Sequence, residues 1–80
     1  MTRLPIVSPR EVVAVLKKAG FVEGHRHRSG SHLFLFHPER KVSTTVAMHA
    51  RDIPPATLKA IIKQTGLTED EFRALELVNK

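Results

Sequence analysis

Five histidines occur in this 80-residue chain, and four of them, His25, His27, His32 and His37, crowd into one short stretch. Imidazole exchanges a proton near neutral pH and is also the commonest metal ligand, so the cluster admits more than one chemistry. A metal site is the first. His25 and His27 alternate, so on a strand they share a face, and His32 or His37 would have to complete the set. The chain has no cysteine to help, and Arg26 and Arg28 beside these histidines repel a cation. A solvated basic strand is the second, with His25-Arg26-His27-Arg28 as a charged edge that resists aggregation and offers phosphate contacts. Acid–base catalysis by one histidine is the third. RNA carries its own nucleophile, the 2′-hydroxyl, so one base beside a phosphate, with cations nearby, promotes strand cleavage. His32 is the candidate by position. It follows the Ser29-Gly30 turn signal at the start of a strand, where a side chain is held more rigidly than on a loop tip.

The elements that must hold these residues are legible from local patterns. Ser8-Pro9-Arg10-Glu11 reads as a capping box with proline at the first helical position, and Val7 and Val12 have the spacing of a hydrophobic staple. Val12, Val13, Leu16 and Ala19 form a helical stripe that Gly20 ends, with Phe21 folding back on Leu16. Three strand-like runs follow. Residues 21–28 alternate weakly, 31–37 are rich in Leu and Phe, and 42–48 carry Val and Thr. Short turns join them, which predicts an antiparallel meander. Pro54-Pro55 opens a second helix with Leu58, Ile61 and Ile62 buried and Gly66 as its stop. Thr68-Glu69-Asp70-Glu71 is another capping box and starts a short third helix anchored by Phe72 and Leu75. On the middle strand, His32, Phe34 and Phe36 share one face and Leu33, Leu35 and His37 the other. Both sets are apolar beyond the first residue, and the pattern does not say which is core.

Composition narrows the class. The length corresponds to one domain, residues 1–80, with a modest core. Net charge is +5, from 13 Lys and Arg against 8 Asp and Glu. The bases gather between Arg10 and Lys41 and the acids near the end, which points to a polyanionic partner. The lack of cysteine excludes a disulfide scaffold and a thiolate zinc site. No segment reads as a signal peptide or a membrane span, so a cytoplasmic protein without membrane contact is expected.

The order and spacing of several short motifs resemble the HicA (YcfA-like) toxin family. They are Leu16-Lys17-Lys18-Ala19-Gly20-Phe21, Gly30-Ser31-His32, His37-Pro38, Met48-His49 and the run from Thr57 to Leu67. The resemblance covers Ser8 to about Leu75. It implies an α+β domain similar to the double-stranded-RNA-binding domain, α-β-β-β-α with an extra C-terminal helix. It implies an endoribonuclease that cleaves messenger RNA with no cofactor or metal, restrained by a HicB-type antitoxin. The family's catalytic histidine falls on His32. His49 matches a recurrent histidine to which no role is carried over. Some positions depart from the family pattern, and none of them removes His32. Pro38-Glu39-Arg40 stands where the family often has an aspartate–glycine turn, Ala47 where it often has proline, and Ala50 and Ala56 where it often has glycine. Arg26, Arg28 and Lys41 are the expected phosphate contacts. The alternative is a non-catalytic RNA-binding module of the same fold.

Overall fold

A computed structural model of the chain describes residues 6–24, 32–48 and 51–78. The first element, α1 (Pro9–Lys18), starts where the capping box predicts. The Glu11 N–H donates to the Ser8 hydroxyl at 3.3 Å, and the Ser8 N–H donates to the Glu11 carboxylate at 2.8 Å. Two donors with no partner inside the helix are thereby satisfied, a gain of about 1 kcal/mol. At the other end Gly20 takes the left-handed conformation with φ +104°. Its N–H donates to Lys17 O at 3.1 Å, and the Phe21 N–H donates to Leu16 O at 2.9 Å, closing a Schellman motif. Phe21 is turned into the core beside Leu16, as the apolar pair predicts.

The next three elements are β1 (Val22–Glu23), β2 (His32–His37) and β3 (Val42–Ala47), which form one antiparallel meander in the order β1-β2-β3. Of the first predicted strand the described part is Val22–Glu23, followed by Gly24, whose N–H donates to Phe34 O at 2.9 Å. The remainder of that prediction, with Arg26, Arg28, His25 and His27, lies outside the described residues. Between β2 and β3 the chain reverses in four residues. The Lys41 N–H donates to His37 O at 2.8 Å, and Lys41 itself is left-handed at φ +58°. That conformation costs a non-glycine residue on the order of 1 kcal/mol. His37 supports the turn from within: its Nδ1 accepts the Arg40 N–H at 3.1 Å.

Two further helices complete the fold, α2 (Pro55–Thr65) and α3 (Glu69–Val78). Gly66, at φ +79°, ends α2, and Leu67 packs on the core just beyond it. The capping box at Thr68 is present in both directions, with the Glu71 N–H donating to the Thr68 hydroxyl at 3.0 Å and the Thr68 N–H to the Glu71 carboxylate at 2.8 Å. The third helix is as long as the first, ten residues, so it is more than the short appendage its two apolar anchors suggest. An additional bridge, invisible to local patterns, joins Val7 to Ile53, with the Ile53 N–H donating to Val7 O at 2.8 Å. It ties the segment entering α1 to the segment entering α2.

The helices pack on one side of the sheet: α1 and α2 against β3, α3 against α1 and α2. Strand alternation then settles the question left open by the apolar pattern of β2. Leu35 is fully buried and His37 is buried, whereas His32 is exposed and Phe34 and Phe36 are half-buried. Val46 and Thr44 of β3 join Leu35 on the inner face. The Thr44 hydroxyl donates to Gln64 Oε1 at 2.6 Å, so the polar group entering the core from β3 is met by α2. The arrangement is the α-β-β-β-α order with an extra C-terminal helix.

Gly20 is a tight joint between α1 and the sheet. A Cβ there would lie 2.7 Å from His37 Nε2, on a backbone with positive φ. We expect Gly20→Ala to lower stability by at least about 1 kcal/mol, because strain and overlap act together. A urea midpoint lowered at unchanged slope checks it, and a midpoint equal to the parent's would contradict it.

Candidate functional site on the uncovered sheet face

The outer face of the sheet is built by alternation and register. Antiparallel pairing sets His32 opposite Ala47, Phe34 opposite Thr45, and Phe36 opposite both Ser43 of β3 and Val22 of β1. These residues therefore share one face. Ser43 and Thr45 are exposed, as is Val22, at 42 %. Among the described residues, the helices pack on the opposite face of the sheet.

His32 stands at the first position of β2, the strand with a partner on each side. Its backbone pairs with Ala47 of β3 and the residue is exposed, a placement that suits a proton-transfer group. His37, five residues on, has the opposite environment. Its ring is buried edge-on against Phe21, with centroids 5.3 Å apart and planes at 86°. Its Nδ1 is occupied by the Arg40 N–H. His37 is therefore a structural histidine that holds the β2–β3 turn to the end of α1. Among the described residues no three His, Asp or Glu side chains gather as a ligand set for a metal.

Lys41 is exposed and sits in the β2–β3 turn, at the other end of β2 from His32. The intervening strand is roughly 17 Å long at the usual rise. The structure therefore does not bring these two together at one phosphate; they bracket the face. Lys41 instead borders a depression of about 560 Å³ whose walls include Phe34, Phe36 and Ser43. Arg26, Arg28 and His49 lie outside the described residues.

Two features of this face have little or no trace in the motifs. Phe34 and Phe36 form a stacked pair, with centroids 6.1 Å apart and planes 25° from parallel. Gly24 lies beneath them: a Cβ there would be 2.8 Å from Phe34 Cε2 and 3.2 Å from Phe36 Cδ1. The available signal was a glycine within a strand-like run, which marks close approach of another group to the backbone.

With this geometry established, comparison with protein families places the chain. The family described as the HicA toxin of bacterial toxin–antitoxin systems matches residues 9–67. The chain belongs to the HicA toxin family. It is thus a toxin of a toxin–antitoxin system, and an antitoxin partner follows from that membership. No curated protein gives a significant match. The HicA match begins at the first residue of α1 and ends just past α2, so it spans every strand of the sheet. Among the described residues no helix is long and apolar enough to cross a membrane.

The contrast between the two strand histidines is measurable. Diethylpyrocarbonate should modify His32 readily and His37 slowly, because only the former is exposed in the folded chain. Peptide mass mapping after brief exposure checks this. Faster modification of His37 would mean the sheet faces are assigned the wrong way round, and equal rates would contradict the difference in burial.

Proposed function

We propose that this HicA family toxin is an endoribonuclease acting on messenger RNA in the cytoplasm, with His32 as its catalytic residue. The observation that carries the reading is the exposure of His32 at the head of the central strand, on the face the helices leave open, in a chain of this family. The chemistry needs no bound cofactor. The His32 imidazole takes the proton of a ribose 2′-hydroxyl as the 2′ oxygen attacks the adjacent phosphorus. A new 2′-O–P bond forms, the P–O5′ bond breaks, and the 5′ oxygen leaves with a proton from water or from the imidazolium. The products are a 2′,3′-cyclic phosphate and a 5′-hydroxyl. A base whose protonation equilibrium lies near the working pH contributes about 10² to 10⁴ in rate. Cations near the phosphate stabilise the charge that develops on its oxygens.

Arg26, Arg28 and Lys41 are the proposed phosphate contacts. Lys41 stands at the far end of β2, so its contact is with a phosphate remote from the cleaved bond. The antitoxin, of HicB type in this proposal, binds the uncovered face and buries His32. A chain of net charge +5 favours an acidic partner, which its field would steer to this surface.

His32→Ala should abolish RNA cleavage and growth arrest while leaving folding intact, and the parent should cleave in the presence of EDTA. Gel analysis of a defined transcript reads both. Retained cleavage by His32→Ala would remove the catalytic assignment, and EDTA-sensitive activity restored by one divalent ion would remove the metal-free mechanism.

Lys41→Gly separates binding from stability. Glycine relieves the left-handed strain, so thermal stability should hold or rise by up to about 1 kcal/mol. RNA affinity should fall at moderate salt, and the dependence of log affinity on log salt should become shallower by about 0.7 for one lost phosphate contact on a single strand. An unchanged salt slope would take Lys41 out of the RNA site.

In the toxin–antitoxin complex, His32 should be protected from diethylpyrocarbonate. Modification as fast as in the free toxin would mean that inhibition acts from a distance.

A further inference from the structure

The last strand of the meander, β3, has a neighbour on one side, and the ladder determines which of its backbone groups that neighbour uses. We propose that the antitoxin docks on the other edge of β3 by adding an extended, acidic strand to the sheet. This rests on the antitoxin partner that family membership supplies, and not on the catalytic role of His32.

The direction of the backbone groups comes first. In an antiparallel ladder a residue points its N–H and its C=O to the same side, and successive residues alternate. The Gly24 N–H donates to Phe34 O, so Phe34 points its groups toward β1. Leu33, Leu35 and His37 therefore point theirs toward β3, where they face Val46, Thr44 and Val42. The residues that alternate with these, Ser43, Thr45 and Ala47, point their N–H and C=O groups away from β2. Among the described residues the sheet ends at β3, and no backbone–backbone hydrogen bond crosses this edge.

The edge also lacks the usual guards. Proteins protect an edge strand with a lysine, a proline, a bulge or a covering segment. β3 reads Val-Ser-Thr-Thr-Val-Ala and matches β2 through an unbroken register, so it holds no charge, no proline and no bulge. The side chains at its outward-pointing positions are small, which leaves room for another backbone at about 4.8 Å. A depression of about 490 Å³ is lined by Val42, Ser43, Thr44, Thr45 and Gln64. Consecutive residues show alternate faces, so a hollow that touches these four runs along the edge and not on either face. Gln64 is held there by the Thr44 hydroxyl, which makes α2 one wall of the groove.

Charge selects the occupant. α2 carries exposed Lys59 and Lys63 and no acid, and the turn entering β3 carries Arg40 and Lys41 against Glu39. A second copy pairing through the same edge would bring these bases toward their own equivalents, on chains of net charge +5. An acidic strand is attracted by them. In strand addition the backbone hydrogen bonds supply affinity and alternate side chains choose the partner. A strand added here continues the sheet and brings the antitoxin to the border of the face that carries His32.

The test is amide hydrogen exchange, read by NMR on the full toxin alone and on the complex purified after co-expression with its antitoxin. In the free toxin the amides of Ser43, Thr45 and Ala47 should exchange at least about tenfold faster than those of Thr44 and Val46, which are bonded to β2. In the complex the three edge amides should slow by at least about tenfold, with cross-strand Overhauser contacts to antitoxin backbone protons. Thr45→Pro removes one outward donor without touching a bond to β2, and proline is tolerated on an edge strand. It should weaken antitoxin binding about tenfold, whereas Thr45→Val should keep it. Lys59→Glu with Lys63→Glu should slow association, most at low salt. Edge amides that exchange as fast in the complex as in the free toxin would overturn docking at β3, and so would parental affinity in a folded Thr45→Pro chain. If that variant does not fold, the exchange rates decide. Edge amides already slow in a free toxin that sediments as a dimer would give the edge to a second copy, and slowing by RNA in place of the antitoxin would give it to the substrate; either overturns the proposal. Association indifferent to the α2 charges would overturn the acidic character of the strand. Diethylpyrocarbonate labelling of His32 and RNA cleavage are measured on the same preparations. A complex that protects His32 but not the edge amides removes this proposal alone. A parent chain that cleaves no RNA, with the edge amides protected in the complex, removes the catalytic reading alone.

Discussion

The register of β2 against its neighbours is the constraint on which the rest of this structure depends. Side chains alternate with a period of two, so a slip by one residue would drive His32, Phe34 and Phe36 into the core and put Leu33, Leu35 and His37 in water. The apolar content of β2 barely opposes that slip, because both faces carry two large apolar residues. The register must be held by other groups. Val46 of β3, paired with Leu33, is fully buried and is followed at the next position by small Ala47, paired with His32 on the outside. Ser43 and Thr45 are at home in solvent and would each cost free energy if turned inward without a partner. β3 therefore specifies its face clearly and lends that specification to β2 through the ladder.

The β2–β3 turn provides the second hold. A four-residue connection with one left-handed residue admits one pairing of His37 with Val42. His37 is central here. It receives the Arg40 N–H on one side and meets Phe21 edge-on on the other, in the space Gly20 leaves open. The end of α1, the end of β2 and the turn thus meet at one imidazole. Two histidines on the same strand are put to different uses by parity alone. The odd-numbered one is buried and hydrogen-bonded to the turn, and the even-numbered one is exposed.

The sheet has an inner side packed on helices and an outer side that carries His32, Phe34 and Phe36. Buried contacts with α1 and α2 hold the inner face, so the outer face is free to carry residues chosen for a ligand rather than for the core. A charged tail-end helix is no obstacle to this: α3 packs on the other helices through Phe72, with Asp70 and Arg73 forming a pair at its surface. The family to which the chain belongs requires a surface that an antitoxin can reach.

Much of the architecture was legible before folding. Both capping boxes, the glycine stops at Gly20 and Gly66, the three strands and the two later helices depend on interactions within a few residues, so local pattern determines them. The family resemblance was equally legible, since it rests on the order and spacing of short motifs, and it singled out His32. What the sequence could not settle was which face of β2 is the core. Its two faces are nearly equal in apolarity, and only the helices packed against Leu35 and Val46 break the tie. The same holds for His37, whose burial depends on Phe21 and Gly20 from another element, and for the bridge between Val7 and Ile53. Lys41, close to the histidine cluster in the chain, stands a strand's length from His32 once β2 is extended. Gly24 and the two phenylalanines come together only through the β1–β2 ladder. Identity and local order were written in the chain; facing and juxtaposition were decided by packing, because burial is a property of what an element meets and not of the element itself.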